Sequence, residues 1–520
     1  MSKILFSSIV TLITILLTTG LIIFLSMIYS NTYNVSFLIF SIIFFNLVSW
    51  LLSPMLMDII NYFLFKQTPL DLKDLQKNYP HIYEVINQIS KDYNFNFPKF
   101  FIIDDLNPTA FTYGLGRFNA RIVVSKGLFK YLNNNETKAV IGHELGHIVN
   151  RDFTLMIIAT TLLEIFYIIY DIFTKKNSKT DPLIFIGYLS YFFYISGTYL
   201  ILQLSRTREY LADNFSATIT SAEDLANALI KISQGIITEE YEGNSQILLG
   251  ATRALGIVDM EFTKQVGVAS LISKGDSKTI TEIIAYDIIN PWSAINELSS
   301  THPLIGKRIQ ALQSLSVNSK KKFSLDLQSN IKKLKIDYEK IYANFNFELF
   351  IMFIPLIFFI LGFALSLILK TNVLGLTLIL TGIGSAIKTR FKFSNVNFQK
   401  NNILDCMKNM YASPMNGIPI IFNGKIINHI YEDKSGIIYL DFVSKLPFIS
   451  NLFFPLNNAI NFLNKNSEVN GWYFRRNFSQ LSLNCIKLKE GKDVINSYPV
   501  LYQYIWALII IILGLFLLLS

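Results

Sequence analysis

Residues 143–147 read His143-Glu144-Leu145-Gly146-His147, inside a proline-free stretch, Glu136–Val149. On an α-helix, side chains four apart share a face, so both imidazoles can reach one ion. A tetrahedral zinc ion, bound at metal–nitrogen distances of about 2.0–2.1 Å, suits such a pair. Glu144 adjoins the first imidazole and projects beside the ion, where it can accept a proton from water activated there. Upstream, Asn133, Asn134 and Asn135 offer N-caps, and Glu136 suits the first turn of a helix. Gly142 and Gly146 lower helix propensity by roughly 1 kcal/mol each, yet they leave the backbone bare for another helix or a substrate. The competing account is a chance His-x-x-x-His pair. The chain has five histidines in 520 residues, and two of them fall at this spacing with Glu in second place. Coincidence is the poorer explanation.

A catalytic zinc usually takes three protein ligands and leaves a position for water. A third His six residues after His147 would complete one known pattern, but position 153 is Phe. The other source is a carboxylate from a later helix. Residues 205–213 read Ser-Arg-Thr-Arg-Glu-Tyr-Leu-Ala-Asp, which puts Glu209 and Asp213 one turn apart on one face. Glu209 can ligate the ion while Asp213 holds an imidazole through its distal N–H. The same segment also allows a plain salt-bridge cluster of Arg206, Glu209 and Asp213. Glu164 is a weaker carboxylate candidate, in the middle of an apolar run. His302 precedes Pro303 in Thr-His-Pro-Leu-Ile-Gly-Lys-Arg-Ile (301–309), a helix start. It can donate to a developing oxyanion, or simply cap and pack. His81 and His429 have no such context and read as structural.

Composition places this site in a membrane protein. Apolar residues make up 51% of the chain and charged residues 16%, against about a quarter charged in soluble proteins. The net charge of +9 is explained by Lys and Arg beside membrane spans, and no Arg-and-aromatic stripe points to nucleic acid. Cys406 and Cys485 form neither a disulfide framework nor a Cys-x-x-Cys site.

Apolar runs of about 20 residues mark candidate spans. They are Ile4–Ile28, Val35–Met57, Phe153–Tyr170, Leu183–Leu204, Leu349–Leu369, the short Val373–Ile387 (a span or a re-entrant piece) and Tyr504–Leu519. Ile4–Ile28 is too long for a signal-peptide core and is followed at once by a second span. The expected organisation is therefore two spans in 1–57, a first catalytic part in 58–152, two spans in 153–204 and a second catalytic part in 205–318. A linker helix (319–348), one or two membrane segments (349–387), a β-rich domain (388–500) and a last span (501–520) follow. Lys66, Lys388, Arg390 and Lys392 put the polar regions on the cytoplasmic face, while Lys175, Lys176 and Lys179 argue the other way. In Gly417–Phe442, two β-rich runs separated by turn residues suggest a small barrel, OB-like.

His143–Asp152 (His-Glu-Leu-Gly-His-Ile-Val-Asn-Arg-Asp), taken with 205–213 and 301–309, resembles the M48 peptidases, and the nearest group is the HtpX-type membrane proteases. The resemblance covers roughly residues 1–315. It implies a multi-pass α-helical membrane protein with a mainly α, zincin-type (gluzincin) catalytic domain and a small β-sheet. It also implies one Zn²⁺ per chain held by His143, His147 and Glu209, with Glu144 as base. Asp213 and Arg206 would support the ligands, and His302 and Arg308 would lie near the cleft. Asn107–Gly114 corresponds to an edge strand beside the cleft, with Ala110, Phe111 and Thr112 facing substrate, although Pro108 and Thr109 interrupt the pattern. Arg121–Ser125 would be its neighbour, and an exposed edge can take up an extended peptide.

The implied activity is zinc-dependent endopeptidase cleavage of membrane or membrane-proximal proteins, including misfolded ones, at the cell membrane. Processing of prenylated C-terminal tails is a related alternative. A non-catalytic zinc scaffold is a second class, against which Glu144 argues, since a structural site needs no base. A transporter is a third, resting on Glu164 alone. The partners implied are protein substrates and the lipid bilayer, not nucleic acid.

Overall fold

The computed structural model describes residues 35–176, 184–242, 257–258, 260–273, 276–318, 323–394, 397–427, 430–441, 465–476, 479–488 and 494–520. The expected first span, Ile4–Ile28, and His429 lie outside the described residues. The chain divides into two compact units, Met1–Gly267 with Glu297–Leu327, and Val268–Asn296 with Gln328–Ser520. Among the described residues, six helices are long and apolar enough to cross a membrane.

Three of them belong to the first unit: α1 (Val35–Phe65), α3 (Asp152–Lys176) and α4 (Ile184–Ile219). Helix α2 (Asn134–Val149) comes between α1 and α3 in the chain. Large apolar side chains stand outward on the spans, with Leu200 70% exposed, which suits lipid and not water. The sequence suggested a span ending at Leu204 and a separate helix after it. The structure has one uninterrupted helix instead. Its 36 residues make about 54 Å at 1.5 Å per residue, well beyond a hydrocarbon core of about 30 Å. The surplus carries Arg206, Glu209, Asp213 and Ser216 out of the apolar stretch.

Beside these helices lies a four-stranded sheet in the order β1 (Thr68–Leu70), β2 (Lys99–Ile103), β4 (Ala120–Ser125), β3 (Ala110–Gly114). Strand β4 runs parallel to β2 and antiparallel to β3, with Thr112 opposite Ile122. Strand β3 is thus an edge, as the family resemblance implied. The Ser125 hydroxyl donates to the Asn107 carbonyl at 2.6 Å and accepts from Thr109 N–H at 3.0 Å. That stitch absorbs Pro108 and lets the strand begin at Ala110. Side chains alternate along it. Phe111 and Tyr113 pack with Phe65, Ile103 and Val123 in one core, and Thr112 points the other way, to Glu144.

In the second unit the membrane helices are α6 (Tyr338–Leu369), α7 (Val373–Lys392) and α8 (Pro499–Leu519), counting Ile305–Asn318 of the first unit as α5. Helix α7 has 20 residues, about 30 Å, enough for a full span and longer than the apolar run by itself suggested. Residues 319–322 of the expected linker helix 319–348 lie outside the described residues; within 323–348 there is a short helix, Leu327–Lys333, and a left-handed Lys335 at φ 46°. Asp337 then caps the start of α6. The stretch 205–318 also divides: Val268–Asn296 groups with the C-terminal unit, where Tyr286 donates to the Ala412 carbonyl at 3.0 Å and Asn290 to the Met410 carbonyl at 2.8 Å.

The β-rich region closes on itself. Strands β5 (Ile418–Ile427), β6 (Ile430–Asp433) and β7 (Gly436–Asp441) form a meander. Strand β8 (Asn466–Arg475) pairs antiparallel with β5, and β9 (Ser479–Leu488) with β8. Strand β9 then lies parallel to β7, and the ring is complete. A five-stranded barrel with this connectivity is OB-like.

Candidate active site

Helix α2 begins at an Asn133 cap whose Oδ1 accepts from the N–H groups of Asn135 and Glu136, at 2.9 and 3.0 Å. Glu136 returns the bond to Asn133 N–H at 2.9 Å, which completes a capping box. Two turns on, His143 and His147 face the same way. Gly142 and Gly146 let α4 approach them: a Cβ on Gly146 would lie 2.9 Å from Ala212 Cα, and one on Gly142 would lie 3.1 Å from Ser216 Oγ. Ser216 donates to the Ala139 carbonyl at 2.5 Å and pins the crossing. At this separation the carboxylate of Glu209, one turn before Asp213, reaches the imidazoles.

The three side chains converge. His143 Nε2 and His147 Nε2 are 3.2 Å apart. Glu209 Oε2 is 3.4 Å from His143 Nε2, and its Oε1 is 3.5 Å from His147 Nε2. Ligands bonded tetrahedrally at about 2.0–2.1 Å stand about 3.3–3.4 Å from one another, so these spacings match the edges of a zinc site. The donor set of two imidazoles and a carboxylate is also that of a catalytic zinc. Glu209 Oε2 is buried, with His143 Nε2 at 3.4 Å and Arg308 Nη1 at 3.8 Å but without a well-formed hydrogen bond, an arrangement that a cation held between the three ligands would complete. His147 keeps 12% of its side chain exposed against 0% for His143, so access to the cluster is from the His147 side.

Each imidazole is held from behind. His143 Nδ1 lies 2.9 Å from Asp213 Oδ1, and Asp213 is gripped by both arms of Arg308, Nε at 2.8 Å and Nη2 at 2.6 Å. His147 Nδ1 bonds Asp152 Oδ2 at 2.6 Å, and Arg208 Nε lies 3.2 Å from that oxygen. Two His–Asp–Arg chains therefore run outward from one point, and both Nε2 atoms are left facing inward. Sequence reasoning gave Asp152 no role, although it closes the motif. Five residues after His147 is the wrong face of a continuous helix, but Arg151 turns left-handed at φ 59° and folds Asp152 back. Arg208 was missed as well, for lack of a visible partner.

Thr112 Oγ1 donates to Glu144 Oε2 at 2.6 Å, so the edge strand and the proposed base are in contact. Of the three residues expected to face substrate, Thr112 is at the site, while Phe111 belongs to the core and Ala110 is buried. His302 Nε2 stands 3.8 Å from Glu209 Oε1, with Nδ1 held 2.9 Å from Thr301 Oγ1. Arg206 is turned elsewhere. Its Nη1 donates to the carbonyls of Glu297 and Ser300, at 2.8 and 2.7 Å, and braces the turn that leads to His302. A salt-bridge cluster of Arg206 with Glu209 and Asp213 does not form. Glu164 accepts from Asn46 Nδ2 at 2.6 Å within the spans, and the metal-competent group contains Glu209 in its place.

The electrostatics fit a cation between these groups. Burial alone would lower the His143 pKa, but Asp213 and Glu209 outweigh it and carry it up to about 9. Burial pushes the Glu144 carboxyl above its ordinary range, against the pull of His147, His143 and Thr112, which suits a proton acceptor. Burial works against the charge on Arg308 too, and Asp213 more than restores it.

Comparison with known proteins gives the following similarities. The model of "Peptidase family M48" matches residues 76–316. A "Protease HtpX homolog" from Dictyoglomus turgidum is 31% identical over 253 residues, 46% of this chain and 71% of the relative. One from Pyrococcus abyssi is 28% identical over 249 residues, 46% of this chain and 74% of that protein. Among solved structures, S. mikatae Ste24p aligns with 60% of this chain and 67% of its own, at 19% identity and a TM-score of 0.38.

Proposed function

Because the chain belongs to peptidase family M48, we propose that it is a zinc-dependent endopeptidase acting on membrane or membrane-proximal proteins, misfolded ones included. It is a membrane-bound metalloprotease with several spans, and the convergence of His143, His147 and Glu209 on one point carries the finer reading. In this proposal those three residues hold one Zn²⁺ per chain. Zinc, when bound, supplies Lewis acidity toward a peptide carbonyl and toward water. The protein's own groups do the rest. Glu144 takes a proton from the attacking water and passes it to the departing amide nitrogen, while Thr112 fixes the orientation of its carboxylate. His302, 3.8 Å from Glu209, donates toward the developing oxyanion. Asp213 and Asp152 hold the imidazoles in the tautomer whose Nε2 is free.

Tethering to the bilayer raises the local concentration of membrane substrates. Lys66 at the end of α1 supports a cytoplasmic position for the catalytic part. The test is metal analysis together with cleavage of a membrane protein, on wild type and Glu144→Gln side by side. The expected outcome is equal zinc content in both and a loss of cleavage of about 10²–10⁴-fold in the variant. Cleavage by Glu144→Gln at the wild-type rate would contradict the mechanism. Stoichiometric zinc with no chelator-sensitive cleavage in wild type would favour the scaffold alternative.

A further inference from the structure

In the C-terminal unit, cations from two distant parts of the chain gather at the end of a membrane span. Lys388 and Lys392 lie one turn apart in the last turns of α7. Arg476 follows β8 directly. Lys392 Nζ is 5.1 Å from the centroid of the Phe393 ring and 5.7 Å from that of Phe474, and the Arg476 guanidinium stands 5.5 Å from the same Phe474 ring. Two cations thus share one aromatic ring, an arrangement that holds them close despite their repulsion. The floor beneath is the buried cluster of Phe393, Trp472 and Phe474, against which Phe398 and Val500 pack. Val500 is in the first turn of α8, and Thr389 of α7 lies 3.5 Å from Gln503 of α8, so the ends of two spans meet here.

The charge at this place is unbalanced. The groups acting on Lys392 are Arg476 and Lys388, of like sign, and Asp441, of opposite sign. Among the described residues, none of the three cations forms an ion pair with a carboxylate, and Arg476 Nη1 is given to the neutral Gln480 at 3.2 Å. Half-burying several positive groups together is costly unless an anion joins them. The position selects the anion. Ends of spans lie at the level of lipid phosphates, and basic pockets between membrane helices bind anionic head groups. The neighbouring outward surface is apolar, with Phe391, Leu501 and Trp506 exposed along α7 and α8. It offers a path for acyl chains, which a soluble anion does not have.

We propose that Lys388, Lys392 and Arg476 form a binding site for the phosphate of an anionic phospholipid, at the junction of α7, α8 and the barrel. The test uses the full-length protein in nanodiscs of phosphatidylcholine alone, of phosphatidylcholine with phosphatidylglycerol, and of phosphatidylcholine with added inorganic phosphate. Thermal midpoints are read in each, and native mass spectrometry counts the phosphatidylglycerol retained. Wild type should gain stability from phosphatidylglycerol only and carry the lipid through purification. Lys392→Gln with Arg476→Gln should lose both effects. Lys392→Arg, and Lys425→Gln on the exposed face of β5, should keep them. Arg476→Gln, which leaves Lys392 on its ring, should retain less lipid than wild type and is scored by mass spectrometry if the double variant does not fold. A phosphatidylglycerol response left unchanged by Lys392→Gln with Arg476→Gln, or by Arg476→Gln alone, would overturn the proposal. Full replacement of that response by inorganic phosphate would overturn it as well, in favour of a soluble anion.

Discussion

Replacing Asp152 by Ala removes the acceptor of a 2.6 Å bond to His147 Nδ1 and also the partner of Arg208. Asp152 is 1% exposed, so solvent cannot readily take its place. Without it the His147 ring is free to rotate and to protonate at Nε2, the atom that must face the metal. Loss of such a supporting carboxylate typically costs 10–100-fold in metal affinity, about 1.4–2.7 kcal/mol. Asp152→Asn, whose amide oxygen can still accept from Nδ1, should fall near the low end and Asp152→Ala near the high end. A second, separable effect is on stability. Asp152 opens α3, and its charge there contributes about 0.3–1 kcal/mol at a helix N-terminus. The assay is competition for zinc between the metal-stripped full-length protein and a chromogenic chelator, with the thermal midpoint measured alongside. Arg206→Ala is the contrast: its bonds go to the Glu297 and Ser300 carbonyls, so it should lower stability and leave zinc affinity unchanged. If Asp152→Ala binds zinc within about twofold of wild type, the expectation from ligand support is wrong and His147 is held by packing alone.

Two further outcomes follow from the site. Gly146→Val puts side-chain atoms where a Cβ alone would already be 2.9 Å from Ala212 Cα, so it should destabilise by about 1–3 kcal/mol and weaken zinc binding as α4 is pushed away; thermal melts and chelator competition read both. The metal-free protein should lose stability with rising pH. His143 is carried up to about 9 from an ordinary value of about 6.5, so the stability that its proton contributes is complete below about 6.5 and is lost as pH passes about 9. Zinc-loaded protein, in which that proton is absent throughout, should not show the decline. Equal pH profiles for the two forms would contradict this reading of His143.

The parts of the site that were legible in the sequence are those written in helical spacing. His143 and His147 four apart, and Glu209 and Asp213 four apart, each put two groups on one face, and Gly142 with Gly146 marked the side on which another helix would lie. The parts that were not legible depend on backbone turns or distant contacts. Asp152 reaches His147 only because Arg151, a residue with no special liking for the left-handed region, adopts it. Polar residues from Ser205 onward read as the end of a span, yet nothing there breaks a helix and α4 simply continues. The grouping of Val268–Asn296 with the C-terminal unit rests on tertiary bonds such as Tyr286 to Ala412, to which no local pattern points. The barrel was visible as alternating strands, but its closure depends on β7 and β9 lying parallel, a pairing between segments far apart in the chain.

The central claim is that a carboxylate from α4 completes a metal site begun on α2. The most direct measurement is zinc stoichiometry and affinity of the purified full-length protein, for wild type and Glu209→Gln. One zinc per wild-type chain is expected, with a marked loss of binding in the variant and its fold intact by circular dichroism. Zinc held as tightly by Glu209→Gln as by wild type would contradict it.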